Sequence, residues 1–110
     1  MKVVSSQENA LEFDNGLSIC GVGENDCCAV NYIDFEQFEK GTEFPTMTAG
    51  QLIDAISMKE DGFSLKDSQG LPKWAQARSQ NNGYYSRMTE LFVEDGDRKI
   101  SLGELDGELE

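Results

Sequence analysis

Carboxylates dominate the side chains that could do chemistry in this 110-residue chain: Asp and Glu number 21, and histidine is absent. Without imidazole, Ser-His and Cys-His nucleophilic pairs and imidazole–metal chemistry are excluded, because each needs the group that titrates near neutral pH. Cys20, Cys27 and Cys28 include no Cys-x-x-Cys pair, so a tetrahedral zinc site would have to recruit a carboxylate as its fourth ligand. We read the cysteines as reduced thiols that pack as small hydrophobes, and expect no metal and no cofactor.

The run from Val93 to Glu104 invites comparison with a calcium loop. It places Asp95, Asp97, Ser101 and Glu104 at loop positions 3, 5, 9 and 12,. Position 1 then falls on Val93, which offers no side-chain oxygen, and the sharp turn at position 6 falls on Arg98 instead of glycine,. A β-turn between two strands explains the same letters. Paired carboxylates occur at Glu12/Asp14, Glu24/Asp26 and Asp34/Glu36, but glycoside hydrolysis needs two carboxyls facing each other across a cleft, and these are spread along hairpins. Nucleophile elbow, P-loop and G-x-G-x-x-G motifs are absent,. The chain is therefore expected not to be an enzyme.

The net charge of −12 is unevenly distributed. Residues 8–61 carry twelve acids against Lys40 and Lys59, whereas residues 62–89 carry Asp67 against Lys66, Lys73, Arg78 and Arg87. Acid excess argues against direct binding of nucleic acid or anionic membranes, which depends on neutralising phosphates with Lys and Arg. Acid excess is also an ordinary device for solubility and by itself names no partner; a basic partner is the expectation if the acids gather on one surface. Alternate residues on a strand lie about 6.6–6.8 Å apart, close to the spacing of successive phosphates, so carboxylates at i and i+2 can imitate a phosphate row. The candidate partner-binding acids are Glu12, Asp14, Glu24, Asp26, Asp34, Glu36, Glu104, Asp106 and Glu108. Residues 103–110 repeat Gly-Glu-Leu-Asp as Gly-Glu-Leu-Glu. They read as an acidic tail, solvated or added to a partner's sheet edge, with Glu104, Asp106, Glu108 and Glu110 on one face if extended.

A second candidate surface combines aromatic, cationic and amide groups: Trp74, Arg78, Asn82, Tyr84, Tyr85 and Arg87. Such groups are favoured in binding hot spots.

Turn chemistry and periodicity place the elements. Asn15-Gly16 between Ala10–Asp14 and Leu17–Val22 predicts a hairpin, and Cys27–Ile33 predicts a third strand beside it,. Asp34 with Gln37 marks a helix start of a turn or so, and Thr48 with Gln51 marks a better one, placing the main helix at about residues 49–58,. Phe63–Asp67 alternates as a strand, and residues 71–80 read as loop. Asn81–Val93 reads as the middle strand of a sheet, apolar on both faces, with Arg98–Leu102 returning beside it across the Asp95-Gly96 turn,. The expected fold is a single α+β domain over residues 1–102, mainly antiparallel hairpins with one helix on one sheet face, followed by the tail at 103–110. No apolar run approaches the ~18 residues of a membrane span, so a cytoplasmic protein is expected.

Two short motifs, Asn25-Asp26-Cys27-Cys28 with Val30-x-Tyr32 and Asn82-Gly83-Tyr84-Tyr85-Ser86, span about half the chain. Together they resemble a family of small phage and bacterial proteins that join an Asp-Cys-Cys-Glu strand to a Ser-Asn-Gly-Tyr-Tyr-Ser strand. Ala29 stands where that family has glutamate, and Asn81 where it has serine. The resemblance implies a small β-rich domain of phage or mobile-element context. Combined with the charge, the expectation is a non-enzymatic acidic protein that engages and inhibits a basic host nucleic-acid-handling or defence protein, with nucleic-acid mimicry as one route. The alternatives are a small-ligand or calcium sensor and an accessory structural subunit.

Overall fold

The computed structural model describes residues 1–25, 29–81 and 85–110. Among them the elements run β1 (Val3–Gln7), β2 (Ala10–Phe13), β3 (Leu17–Gly23), β4 (Val30–Asp34), α1 (Ala49–Ala55), β5 (Ser57–Met58), β6 (Gly62–Lys66), β7 (Pro72–Gln80), β8 (Met88–Asp95), β9 (Arg98–Asp106) and β10 (Glu108–Leu109). The fold is mainly antiparallel β-sheet with this one short helix.

One sheet has the order β1-β2-β3-β8-β9, every neighbour antiparallel. Two of its three hairpins, β2–β3 and β8–β9, turn where expected. The Leu17 amide donates to Asn15 Oδ1 at 3.3 Å, and Gly96 takes φ +61° at the first loop position after Asp95, where a type II′ hairpin turn requires glycine. In the second sheet β7 is central. At Gln76 it pairs with both Asp34 and Gly62, and at Arg78 with both Tyr32 and Glu108. Strand β4 therefore takes one side of β7, while β6 and the parallel β10 share the other.

Inward residues of both sheets form one core. Leu11, Ile19, Leu91, Val93 and Leu105 meet Ile33, Phe63, Ala75 and Ala77, all fully buried. Phe38 lies among Phe35, Phe44 and Phe63, with ring centroids 5.8, 5.8 and 5.9 Å away. Each buried ring stabilises the fold by about 2–3 kcal/mol through apolar area. Helix α1 begins as expected: Gln51 N donates to Thr48 Oγ1 at 3.3 Å and Thr48 N to Gln51 Oε1 at 3.0 Å. It supplies Ala49 and Leu52 to the core.

Several expectations need correction. Helix α1 stops at Ala55 because Ile56 becomes extended, at φ −72° and ψ 122°, to enter the core before Ser57 pairs with Ser64. Asp34 caps a turn instead of a helix, accepting the Glu36 amide at 2.8 Å. The expected loop at 71–80 is β7, the strand on which the second sheet is built. Its inward residues Ala75, Ala77 and Ser79 are too small to give an apolar periodicity, yet that smallness lets the opposite sheet approach. Residues 3–7, where turn chemistry and periodicity predict no element, form β1.

Strand β4 leaves the first hairpin and joins β7. A Cβ at Gly23 would lie 2.1 Å from Asn31 O, and one at Gly21 2.6 Å from Ile33 Cδ1, so these two glycines let β3 pass close beneath β4. The expected middle strand begins only at Met88, and β3 holds the centre of its sheet. One face of β8 is covered, by Thr89, Leu91 and Val93; Phe92 on the other is half-buried. The expected tail at 103–110 is structural, since β9 runs to Asp106 and β10 pairs with β7. The chain changes sheets at Gly107, whose amide donates to Arg87 O at 2.7 Å.

Candidate protein-binding face

The registers line up the outward side chains of the first sheet in rows that cross the strands. One row is Glu12, Ser18, Glu94 and Lys99; the next is Ala10, Cys20, Phe92 and Ser101; the third is Val22, Glu90 and Glu104. Successive rows are two residues apart along β2, β3 and β8, about 6.6–6.8 Å, whereas on β9 a bulge sets Ser101 and Glu104 three residues apart. A mainly apolar middle row is thus flanked on both sides by carboxylates. Cys20 and Phe92 are half-buried by their neighbours, and Val22 is 50% exposed. Helix α1 packs on the inner side of the sheets, through the core, so among the described residues it leaves this face uncovered.

Within the middle row Ala10, Cys20 and Phe92 are half-buried. Burial pushes the Cys20 thiol up to about 11, helped by its hydrogen bond to Glu94 Oε1 at 3.4 Å. At neutral pH it is a protonated, small apolar group. The Lys99 ammonium lies 4.4 Å from the Phe92 ring centroid and 3.8 Å from Glu94 Oε1, so a cation here gains both from the ring's negative face and from a carboxylate. Glu90 and Glu104 are direct cross-strand partners, an arrangement that costs about 0.2–1 kcal/mol. The Ser101 hydroxyl donates to Glu90 Oε2 at 2.6 Å. Among the described residues, Glu12, Glu90 and Glu104 have no ion-pair partner.

The outer face of the second sheet is internally satisfied instead. Arg78 Nε donates to Asp34 Oδ2 at 2.9 Å, and its Nη1 lies 4.0 Å from Glu108. That bond to Asp34 raises the guanidinium pKa further. Tyr32 donates its hydroxyl to Glu110, which Gln80 also contacts at 2.8 Å. The Trp74 indole donates to Gln76 Oε1 at 3.0 Å, beside a recess of about 50 Å³ that Glu36 and Gln37 help line.

The expected site residues are therefore divided. Glu12, Glu104 and Asp106 lie on the first face; Asp34, Glu36 and Glu108 border the second. The i, i+2 row expected along 104–110 is split between the two sheets. Asp14 sits in the hairpin turn, accepting the Lys2 amide at 3.1 Å. Glu24 is exposed beyond β3, and its carbonyl accepts from the Asn31 amide group. Of the aromatic–cationic set, Trp74 and Arg78 share the second face. Arg87 pairs instead with Asp106 at 3.3 Å, and Tyr85 is half-buried ahead of β8. Asp26, Asn82 and Tyr84, with Cys27, Cys28 and Gly83, lie outside the described residues. Glu90, Glu94 and Phe92 were missed as site residues, although the i, i+2, i+4 alternation of Glu90, Phe92 and Glu94 was a readable signal.

Asp95 and Asp97 lie at the tip of the β8–β9 hairpin, and the described residues hold no group of three or more potential metal-ligating acids or thiols. No described helix is long and apolar enough to cross a membrane. No family model, curated protein or solved structure matches the chain.

Proposed function

We propose that this is a non-enzymatic binding protein that engages a basic partner protein through the outer face of the first sheet. The observation that carries this reading is the mainly apolar row bordered by carboxylates, of which Glu94 pairs with Lys99 while Glu12, Glu90 and Glu104 have no ion-pair partner among the described residues. Apolar contact there supplies affinity, and the flanking acids supply on-rate and selectivity for Lys and Arg. A nucleic-acid-handling or defence protein is the partner class that this chemistry suits, and occupying its basic surface would inhibit it. The acids act here as a border around an apolar strip. That favours surface complementarity over imitation of a phosphate row.

The test is an affinity pull-down from the native host with three proteins. These are the parent, a face variant (Glu12→Gln, Glu90→Gln, Glu94→Gln, Glu104→Gln), and a control changed on the second sheet (Glu36→Gln, Glu108→Gln). A basic protein should be recovered by parent and control, lost with the face variant, and released progressively as salt rises. Equal recovery by all three, insensitive to salt, sinks the proposal.

A small-ligand sensor is the second reading. It is favoured by a cleft of about 510 Å³ between Met47, Ala55, Ser57, Ser64 and Lys66, within the size range of ligand pockets. A ligand that binds only the folded state must raise the melting temperature, so absence of any shift across a metabolite and calcium panel retires it.

A further inference from the structure

We infer that the partner element seated on this face is an amphipathic basic helix lying across the strands. The inference rests on the basic-partner reading above and adds the partner's shape. Glu90 and Glu94 are four residues apart on β8, about 13 Å along the strand, and they mark the two carboxylate rows. That separation matches a helix, whose diameter with side chains is about 10–12 Å. Between the rows, the middle row runs from Gln7 on β1 through Ala10, Cys20 and Phe92 to Ser101 on β9. Five strands at about 4.8 Å spacing make it about 19 Å long, the length of about 13 helical residues.

A helix on this track lays its apolar stripe on Ala10, Cys20 and Phe92. Its flanking Lys or Arg residues reach Glu12 and Glu94 on one side and Glu90 and Glu104 on the other. The Glu90–Glu104 opposition, unrelieved by an ion pair among the described residues, is neutralised by such a residue. Lys99 already displays the contact, holding its ammonium over Phe92 and beside Glu94.

The test uses the full chain and three probes. These are a synthetic peptide of about 18 residues with leucines at i, i+3, i+4 and i+7 and lysines beside them, a scramble of identical composition, and polylysine. Binding is measured by fluorescence anisotropy at physiological salt, and amide chemical-shift changes map the contact. The patterned peptide should bind at least about tenfold more tightly than the scramble, gain helicity on binding, and shift Ala10, Cys20 and Phe92 but not Gln76 or Arg78. Phe92→Ser, checked for folding by circular dichroism, should abolish the advantage, and Glu36→Gln/Glu108→Gln should keep it. Equal affinity of peptide and scramble overturns the helix while leaving a basic partner in place. Failure of all three probes to bind, even at low salt, overturns both.

Discussion

Replacing Asn31 by alanine is expected to destabilise the protein by about 3 kcal/mol. Asn31 is fully buried on β4, where an amide is tolerated only if its polar atoms are paired. Its Nδ2 donates to the carbonyls of Glu24 and of Ser86, the latter at 2.9 Å, and its Oδ1 accepts from Ser79 Oγ at 2.5 Å. Ser79 is equally buried and also accepts from Asn81 Nδ2 at 2.6 Å. Alanine strands the Ser79 proton away from water, at about 1–3 kcal/mol. Glu24 and Ser86 are exposed residues, so water replaces the amide there and each loss is nearer 0.5–1 kcal/mol, or roughly 3 kcal/mol in all. With an unfolding entropy near 2.1 cal/mol/K per residue, that lowers Tm by about 13 °C for a chain of this length. Urea unfolding followed by circular dichroism measures the first quantity, and calorimetry the second. Ser79→Ala removes the same bond from its other end, so the double variant should fall short of additivity by about 1–3 kcal/mol. A cost for Asn31→Ala below about 1 kcal/mol, or strict additivity with Ser79→Ala, would refute the reasoning.

Thr89→Val should stabilise the fold by about 1 kcal/mol, because Thr89 Oγ1 is buried with no hydrogen-bond partner among the described residues and valine keeps its shape,; a lower Tm by calorimetry would contradict this. The contacts that hold β10 should weaken at both extremes of pH. The hydrogen bond from Tyr32, then that from Gln80, lowers the Glu110 pKa below its ordinary 4.5, so this contribution is present above pH 4.5 and is lost as pH falls through the depressed value,. The same bond to Glu110 pushes the Tyr32 phenol from 10.0 up to about 12, so its contribution is complete below pH 10 and lost as pH rises through about 12,. Exchange of the Glu110 amide, which donates to Ser79 O at 3.0 Å, should therefore be slowest relative to an unfolded reference between those limits. A protection factor independent of pH would remove the Tyr32–Glu110 pair as its cause.

Signals confined to a few neighbouring residues were legible without coordinates. Thr48 and Gln51 started the helix, Asn15-Gly16 and Asp95-Gly96 made the hairpin turns, and the period-2 pattern of Ala10–Phe13 and Leu17–Val22 made strands, because each depends on the backbone preferences and hydrogen-bonding groups of its own residues. The candidate face was half legible. Glu12 and Glu104 stand out in the sequence, whereas Glu90, Glu94 and Phe92 do not, because Asn81–Val93 reads as apolar on both faces. A strand's period shows which residues share a face, but not whether anything packs on it.

From its own letters, then, the chain settled that it is rich in strands, where most turns fall, and that its chemistry is that of carboxylates without imidazole. The tertiary structure decided that Pro72–Gln80 is a strand, that β4 joins it instead of extending the first hairpin, and that the last acids divide between two sheets at Gly107. Those outcomes depend on close approach between distant segments, at Gly21 and Gly23 under β4 and at Ala75 and Ala77 in the core. Small residues leave almost no mark in a hydrophobic pattern, and only the assembled fold shows where they let two backbones meet.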